Sequence, residues 1–552
     1  MGAVQSHFNT FCVAFKTLLS LNKELRELLE RASGPPGLPV PNPSAPYWLE
    51  DPPYPELVNH QSPQLPAEAD IVIIGSGITA AAVARTALHE TARRRHAAAD
   101  KESGVSPGPS KPTVAVLEAR SLCSGATGRN GGHIKSSPHE LLASLRQTMS
   151  PERAVALTRF QLRHLGVLTG LCEVKGWDIA ECREVETVDL YLDEEDREKA
   201  FDEVRELAKW VPELNIEIWG ESEARKKFEA NHHIKGAISY TAGALWPFRF
   251  VSCVWKDLLT VFGDQLLLET STGVTDIAVT KESIYAYELT TTRGSIKCNH
   301  VVHATNGFAT QFVPGLRGKM TGCLGHMTAQ RPGRSFVDHD GSRSWSVIYG
   351  SCFDYVTQRP SSAGQPGDIM LGGGFDRSKG QGANSIGVWD DSQRRTDTLT
   401  MAHVGGIFPT IFSPQWGEDA EGGRVKAAWS GIISVTGDML PFVGRLSPKL
   451  TGRKIKTVSR KSGMEAHMGR EGQQLAHSGE WVSAGYCGDG MVWAWLSGTA
   501  VGLMLAGTEA EDVPARPGLP GGRLTDWFPK ELEPSLGRVK KAGLENFADH
   551  FF

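Results

Sequence analysis

The chain has 552 residues, of which 40% are hydrophobic and 22% charged, and its formal net charge is −5. This length is enough to bury a large core in several domains, and the slight negative charge argues against a broad nucleic-acid surface, which needs a basic footprint. Nine dispersed cysteines without a C-x-x-C pair, and no apolar run of about 18 residues, predict a cytoplasmic protein with reduced thiols and no membrane span.

The N-terminal segment is predicted to be a helix followed by an extended arm. Apolar residues recur at three- and four-residue spacing from Phe8 to Ala32, which predicts an amphipathic helix ending before Gly34. The proline-rich stretch that follows, to residue 66, is expected to wrap the surface. Gly2 and Ser6 match the minimal N-myristoylation pattern. Membrane-surface contact is therefore one alternative, but docking on its own protein or on a second subunit is favoured, because one acyl chain binds only marginally.

A strand–turn–helix pattern typical of dinucleotide binding begins at Asp70. Asp70 to Ile74 is predicted to be a buried parallel strand, and residues 80–95 a helix. The turn between them has the G-x-G-x-x-A pattern, whose glycines permit a tight turn and a close approach to a pyrophosphate at the helix N-terminus. The predicted pyrophosphate-binding residues are Gly75, Ser76, Gly77, Ile78, Thr79 and Ala80.

A second predicted strand, Lys111 to Glu118, ends in an acid that would accept hydrogen bonds from a ribose. The segment from His96 to Pro112 is predicted to be a loop that accounts for the long spacing between the glycines and this acid. Ala119 and Arg120 follow directly and are included in the predicted nucleotide site. The alternative is an ordinary βαβ unit that binds no ligand.

Three later segments predict contacts to a longer cofactor. Residues 121–134 form a glycine-rich loop, residues 301–308 a strand with a glycine-containing turn, and residues 481–507 a strand, a glycine turn and a helix. Asp489 is the predicted N-cap of that helix. The predicted cofactor-binding residues in these and neighbouring segments are Ser124, Gly125, Ala126, Thr127, Gly131, Gly132, His133, Val274, Thr305, Gly307, Gly488, Asp489, Gly490 and Met491.

Together these motifs resemble the D-amino-acid-oxidase-type FAD-dependent oxidoreductases, which include glycine, sarcosine and γ-glutamylputrescine oxidases. The resemblance runs in order from Ala69 to Gly507. Residues 124–132 are most similar to the γ-glutamylputrescine oxidase branch, residues 485–491 to the family's C-terminal flavin turn, and residues 428–444 to its late strand pair. The resemblance implies FAD and a combined α/β and α+β fold. Its parts would be a Rossmann-type FAD-binding domain with GR2-like glutathione-reductase topology and a mainly antiparallel β-sheet substrate domain.

The resemblance also implies a reaction. An amine or amino-acid-like substrate would lose a hydride from its CH–NH bond to the flavin N5, the resulting imine would hydrolyse, and O2 or another acceptor would reoxidise the flavin. Amides of Gly488, Asp489 and Gly490 at a helix start would stabilise negative charge on the flavin N1–C2=O edge. No catalytic acid or base is identified.

The predicted domain organisation alternates between the two domains along the chain. It comprises an N-terminal helix and arm (1–66), three FAD-binding segments (67–150, 241–320 and 481–510), a mixed, mostly helical segment (151–240), an antiparallel substrate domain (321–445), a flexible insertion (446–480, with its polar part at 451–479) and a C-terminal tail (511–552).

One departure from the family pattern bears on the substrate. In the strand with the Trp-x-Gly pattern, small-amino-acid oxidases of this family carry an arginine, and this arginine binds the substrate carboxylate. The corresponding position here is Ile433. An aliphatic side chain offers no bidentate donor pair, so an amine or polyamine-like substrate is favoured over a simple α-amino acid. Four other arginines could reach the site instead: Arg129, Arg249, Arg317 and Arg359.

Other kinds of site are less favoured. Covalent flavin attachment occurs in some relatives, but His133 and Cys487 are interpreted as a structural histidine and a buried thiol. The adjacent His232 and His233 point different ways on a regular element, so no metal site is expected. There is no G-x-S-x-G elbow. The two alternative functions are a NAD(P)-linked dehydrogenase and a catalytically idle flavin-fold scaffold with the N-terminal helix as its docking element.

Overall fold

The computed structural model describes residues 23–99, 111–281, 284–350, 352–455 and 475–545. Within these residues the chain forms a six-stranded sheet, a nine-stranded sheet and a small three-stranded sheet. The small sheet is antiparallel and consists of β8 (Val274–Val279), β9 (Tyr287–Thr291) and β10 (Gly294–Cys298).

The six-stranded sheet contains the predicted nucleotide-binding strands. Its order is β17-β18-β11-β1-β2-β7, and every pair is parallel except β17 with β18. Four of these strands are buried along their whole length, as expected for a parallel sheet covered on both faces. The strands are β1 (Ile71–Ile74), β2 (Val114–Leu117), β7 (Leu266–Glu269), β11 (His300–His303), β17 (Phe442–Arg445) and β18 (Gly479–Ala484).

The helix after the glycine turn is longer than predicted. It runs from Ile78 to Ala99, so it begins two residues early and includes the first four residues of the segment predicted as a loop from His96 to Pro112. The extension ends in three alanines, the residue with the highest intrinsic helix propensity. Residues 100–110 of that predicted loop lie outside the described residues.

The nine-stranded sheet is antiparallel except for the pair β4–β13. Its order is β16-β12-β15-β14-β13-β4-β6-β3, with β5 paired to β6. One face is covered by an aromatic cluster that includes Phe336, Trp345 and Phe408. The strands are β3 (His133–Ile134), β4 (Arg183–Tyr191), β5 (Ile216–Gly220), β6 (Gly236–Ala244), β12 (Met320–Gln330), β13 (Arg343–Tyr349), β14 (Cys352–Gln358), β15 (Ile369–Gly372) and β16 (Val425–Thr436).

Helices cover both large sheets. The glycine-turn helix packs along the C-terminal helix Ala494–Leu505, where an added Cβ on Gly498 or Gly502 would clash with Thr79 or Thr86. In chain order the helices after residue 50 are α1 (Pro55–Val58), α2 (Ile78–Ala99), α3 (Pro138–Arg146), α4 (Pro151–Lys175), α5 (Glu194–Trp210), α6 (Glu221–Lys227), α7 (Pro247–Phe262), α8 (Thr398–Ile411), α9 (Pro448–Thr451), α10 (Ala494–Leu505) and α11 (Leu536–Lys541). None of the described helices is long and apolar enough to cross a membrane.

The described part of the N-terminal arm docks on its own chain. Residues 23–33 are helical, in agreement with the predicted end near Ala32, and the Arg31 guanidinium donates hydrogen bonds to the Ile386 and Ala383 carbonyls. The rest of the arm has little regular structure. The expectation that it wraps the surface rather than building a core is wrong, because Tyr47, Trp48 and Leu57 are buried members of the largest hydrophobic cluster. The remainder of the predicted helix, Gly2 and Ser6 lie outside the described residues, as do residues 456–474 of the predicted insertion.

Candidate functional site

The glycine turn after β1 lies between the ends of two neighbouring strands. The Gly75 amide donates a hydrogen bond of 2.8 Å to the Leu117 carbonyl at the end of β2. Gly75 has a φ of +104°, and an added Cβ would lie 2.8 Å from the Ala304 carbonyl oxygen, just after β11. Only glycine adopts this backbone conformation and tolerates this approach without strain.

The carboxylate of Glu118 lies directly against this turn. Its Oε2 accepts hydrogen bonds from the Ser76 hydroxyl (2.7 Å) and amide (3.2 Å), and its Oε1 accepts one from the Arg120 amide (3.0 Å). Glu118 is only partly buried. The two segments that the sequence analysis assigned to one nucleotide site therefore meet in space.

Thr127 joins the glycine-rich loop to the start of α2. Its Oγ1 accepts a hydrogen bond of 3.1 Å from the Ile78 amide, and a Cβ added to Gly77 would lie 2.7 Å from the same oxygen. A Cβ on Gly125, two residues earlier, would meet no heavy atom within 4 Å. This part of the loop is therefore open beside the helix N-terminus, where backbone amides favour anions.

Two other predicted residues, Arg120 and Ser124, make hydrogen bonds to other protein groups. The Arg120 guanidinium donates to both carboxylate oxygens of Asp391 and to the Ser124 hydroxyl. The Ser124 carbonyl accepts from Arg129 at 2.8 Å. Ala119 lies beside Gly273, which immediately precedes the predicted residue Val274.

The Gly131–His133 segment contacts the nine-stranded sheet. The Gly131 carbonyl accepts a hydrogen bond of 2.9 Å from Thr357, and a Cβ on Gly131 would lie 2.6 Å from the Tyr355 ring. His133 Nε2 lies 2.9 Å from the Ser344 hydroxyl. Burial, reinforced by nearby cations, lowers the pKa of His133 well below its usual value, which leaves the ring neutral. This segment brings the predicted cofactor loop against strands β13 and β14.

The C-terminal glycine turn is held in place on both sides. The Gly485 amide donates to Asn306 Oδ1 (2.9 Å), and the Cys487 amide donates to the Ser434 carbonyl (2.8 Å). A Cβ added to Gly488 or Gly490 would meet no heavy atom within 4 Å. Among the hydrogen bonds of the described residues, none has either of these two amides as its donor.

The predicted helix cap at Asp489 is wrong. A 3₁₀ turn, Gly490–Val492, separates Asp489 from the α-helix that starts at Ala494, and the Asp489 side chain makes no capping hydrogen bond. Its amide donates to the Tyr486 carbonyl at 3.0 Å, so this amide is occupied. Gly490, the first residue of this turn, explains the delayed start, because glycine disfavours the helix.

Asp489 is an exposed residue of the turn. Many protein atoms nevertheless lie around its carboxyl, and the desolvation that they cause raises its pKa to about 7. The charge of Glu140 adds to the rise and that of Lys135 opposes it. Cys487 beside it has a thiol pKa raised by burial to about 12, so this thiol is protonated at neutral pH.

The remaining predicted residues contribute packing. Thr305 Cγ2 lies 3.3 Å from the position of an added Gly75 Cβ, and a Cβ on Gly307 would lie 3.0 Å from the Trp389 ring. Val274 and Met491 are buried apolar side chains, 2% and 6% exposed. Met491 belongs to the largest hydrophobic cluster.

All four arginines considered as substrate ligands have protein partners. Arg129 donates to Ser44 and to the Ser430 carbonyl, and Arg249 pairs with Asp51 and Glu181. Arg359 donates to both carboxylate oxygens of Glu181 and to the Tyr47 hydroxyl, and Arg317 donates to the carbonyls of Thr310 and Gln311. Ile433 is partly buried among apolar side chains.

Sequence reasoning missed several residues around the turn. Trp255 Nε1 donates a hydrogen bond of 2.9 Å to the Ser76 carbonyl, and the Tyr486 hydroxyl lies 2.8 Å from Thr79 Oγ1. The Lys135 ammonium pairs with the buried Asp189 and donates to Ser346. Only Tyr486 lies inside a motif that the sequence singled out. The other contacts join residues far apart in the chain and leave no local signal.

Comparison with known families gives a match over most of the chain. A family model described as FAD dependent oxidoreductase matches residues 70–502. This range excludes the N-terminal arm and ends just before the last residues of α10. A comparison with curated protein sequences finds no match.

Solved structures similar to this chain are distant in sequence. L-proline dehydrogenase from P. horikoshii superposes with a TM-score of 0.56 at 19% identity, covering 87% of this chain and 100% of its own. Glycine oxidase from Geobacillus kaustophilus gives 0.54 at 18% identity, with 81% and 96% covered. Iminodiacetate oxidase from Chelativorans sp. BNC1 gives 0.54 at 15%, with 80% and 97% covered. At such identities these similarities establish the fold.

Proposed function

The chain belongs to the FAD dependent oxidoreductase family, and on that premise we propose that it oxidises the CH–NH bond of an amine to an imine. FAD is its cofactor, and the fold is the family's mixed α/β fold with several sheets. The GR2-like topology of the FAD-binding part, the domain boundaries and the assignment of the nine-stranded sheet to the substrate belong to this proposal.

The adenosine diphosphate end of FAD is assigned to the turn after β1. The Gly75–Ala80 turn would hold the pyrophosphate at the N-terminus of α2, with Thr127 beside it, and Glu118 would accept hydrogen bonds from the ribose. The contact between Ser76 and Glu118 supports this assignment. So does the close packing at Gly77, where an added Cβ would lie 2.7 Å from Thr127 Oγ1, so that a residue without a side chain is needed between the turn and the loop.

The flavin ring is assigned to the space between the glycine turns and the nine-stranded sheet. A Cβ added to Gly488 or Gly490 would meet no heavy atom within 4 Å, and none of the hydrogen bonds of the described residues has either amide as its donor. Unbonded amides stabilise negative charge that develops on a nearby group. Bound FAD would accept the hydride of the substrate C–H bond, the imine would hydrolyse, and O2 or another acceptor would reoxidise the flavin.

The observation that carries the choice of an amine concerns the arginines considered for a substrate carboxylate, all within the described residues: none of them has a free guanidinium. Ile433 occupies the position of the family's carboxylate-binding arginine, and the four alternative arginines all bind protein groups. A substrate carboxylate would be desolvated without a charged partner, which is costly.

Anaerobic reduction of the bound flavin tests the proposal. Pentylamine and norleucine make a matched pair, because they differ only by the α-carboxylate. We expect amines such as pentylamine to bleach the flavin absorption at concentrations where the matched amino acid does not. Bleaching by amino acids alone would contradict the proposal.

A gain-of-function variant sharpens this test. Ile433→Arg restores a guanidinium, with its pair of hydrogen-bond donors, at the position where the family's arginine binds the substrate carboxylate. The variant should therefore show a smaller preference for pentylamine over norleucine. Leu25→Arg, a change to the same residue at an exposed position of the arm helix, is the control and should leave the preference unchanged.

The family assignment decides between the alternatives of the sequence analysis. Because FAD is the cofactor of this enzyme family, a NAD(P)-linked dehydrogenase and a catalytically idle scaffold are not retained. The identity of the electron acceptor, the cytoplasmic location and the non-covalent state of the flavin stay predictions.

A further inference from the structure

The arm helix, residues 23–33, lies outside the residues matched by the family model and contacts the segment around Ile386, which bridges to Cys323 of strand β12. Leu28 and Ala32 join a hydrophobic cluster with Cys323 and Ile386. Arg31 fixes the helix by donating to the Ile386 carbonyl at 2.7 Å, and a Cβ on Gly387 would lie 2.8 Å from the Arg31 backbone. The helix is therefore seated closely against this part of the chain.

Four members of this cluster are only partly buried. Leu28, Phe375, Ile433 and Met439 pack against the buried members and keep accessible surface. The nearby Gly325 and Gly431 are also partly accessible, and Cδ1 of Ile433 lies 2.8 Å from the position of an added Gly325 Cβ. Partly accessible apolar residues of one hydrophobic cluster therefore lie both on the arm helix and on strand β16.

This apolar surface lies next to the C-terminal glycine turn. Ser434, the residue after Ile433, accepts the hydrogen bond of the Cys487 amide, and Gly488 follows directly. The Cys323 thiol of the cluster has a pKa raised by burial to about 12 and stays protonated at neutral pH. The Arg31 guanidinium lies beside the cluster and donates to the carbonyl of Ile386, one of its members.

We propose that Leu28 of the arm helix, together with Ile433 and Phe375, forms the apolar wall of the substrate site and selects amines that carry an alkyl or aryl substituent. The inference rests on the proposed function and names its substrate class. Since Leu28 comes from a segment outside the family match, the arm supplies a specificity-determining residue that the family's shared part does not contain.

A homologous series of n-alkylamines tests the wall. Binding to the oxidised enzyme is measured as a perturbation of the flavin absorption spectrum, which needs no turnover. We expect the dissociation constant to fall about fourfold for each added methylene that reaches the wall, the change that corresponds to about 0.8 kcal/mol per buried CH₂. Methylamine, which is too short to reach it, gives the reference affinity.

Three variants distinguish a contact between the wall and the alkyl chain from a change in folding or in flavin content. Leu28→Ala should weaken binding of pentylamine severalfold and leave methylamine unchanged, and Leu28→Trp should exclude the longer amines by filling the space. Leu25→Ala, on the exposed side of the same helix (47% exposed), should match the unchanged protein. Flavin content and circular dichroism confirm that each variant is folded and loaded.

The outcomes distinguish this inference from the proposed function. If alkylamines perturb the spectrum but Leu28→Ala affects short and long amines equally, or affects neither, the inference is wrong and the proposed function stands. If no amine binds or reduces the flavin, the proposed function fails and the inference fails with it.

Discussion

At the scale of single residues, Asp489 places a carboxyl in the glycine turn that we assign to the flavin. Desolvation by the surrounding protein atoms raises its pKa to about 7 although the residue is exposed, so the group is neutral below that pH and negative above it. A negative charge near a flavin disfavours the uptake of electrons. Asp489 is therefore expected to couple the flavin reduction potential to pH.

The variant Asp489→Asn removes this titration. In the unchanged protein the reduction potential should fall more steeply with rising pH across pH 7 than in the variant, because ionisation of Asp489 adds negative charge there. The measurement is a spectroscopic redox titration at several pH values. Parallel pH profiles for the two proteins would disprove the coupling.

Asp512→Asn provides the control. Asp512 is exposed and follows Glu511, which pairs with Arg93 near the C-terminal end of α2. That helix has 22 residues and spans about 33 Å, so Asp512 lies far from the turn. Its variant should keep the pH profile of the unchanged protein.

Residues of the site were predictable where a local pattern fixes their role. Gly75 and Gly77 belong to a short motif, and Glu118 ends the next strand of the same sheet, so register brings it beside Ser76. Trp255 was missed because it contacts the Ser76 carbonyl across 179 positions of sequence. Tyr355 was missed for a similar reason, since only the folded chain brings it to Gly131.

At the scale of elements, strand β18 is linked to its neighbours by a buried charge cluster. The Glu480 carboxylate accepts hydrogen bonds from two nitrogens of the Arg453 guanidinium, at 2.6 and 2.9 Å. It also lies 3.0 Å from the His303 ring on β11. Burial alone would raise the pKa of Glu480, but these partners outweigh it and lower the pKa to about 2. The carboxylate therefore stabilises the fold above its ordinary pKa, and this stability is lost as the pH falls from about 4.5 to about 2.

Glu480→Gln should lower the free energy of unfolding at pH 7 by on the order of 3 kcal/mol, because it leaves Arg453 without its charged partner. The difference from the unchanged protein should shrink towards pH 3, and urea unfolding at several pH values measures it. Glu213→Gln breaks an exposed pair with Arg159 and should change stability by less than about 1 kcal/mol. Equal effects of the two substitutions would contradict the role given to Glu480.

Elements were predicted well where composition and local pattern agree. The strands at residues 71–74 and 114–117 lie within their predicted ranges. The two errors lie at helix ends, where α2 continues through residues predicted as loop and α10 begins five residues after its predicted cap. Such ends depend on packing and turn geometry as well as on the residues present.

At the scale of the whole molecule, the two large sheets are joined through the segments that we assign to the cofactor. Trp429 of the nine-stranded sheet donates to the Arg129 carbonyl at 2.9 Å, and Thr357 donates to the Gly131 carbonyl. The arm joins the same contact, because Ser44 binds both Arg129 and Ser430. This arrangement was not predictable, because no sequence pattern in the arm indicates which residues it contacts.

Removal of FAD should therefore destabilise the whole protein. We expect the cofactor-free form to unfold at a lower temperature, and FAD at about 100 times its dissociation constant to restore about 2.7 kcal/mol by mass action. ADP should restore part of this stability, since it fills the site assigned to the adenosine diphosphate, and riboflavin should restore less. Stabilisation by riboflavin and none by ADP would contradict the assignment of the turn.

The most direct test of the central claim is the FAD content of purified Gly77→Val. The new side chain would meet Thr127 Oγ1, a side-chain atom that can move, whereas at Gly75 it would meet a backbone carbonyl. The fold should therefore survive while the pyrophosphate site is filled. Gly166→Ala, on α4 where an added Cβ meets nothing within 4 Å, is the control and should stay yellow. We predict a folded, colourless Gly77→Val protein. A folded variant that keeps its full complement of FAD would show that the turn does not hold the cofactor.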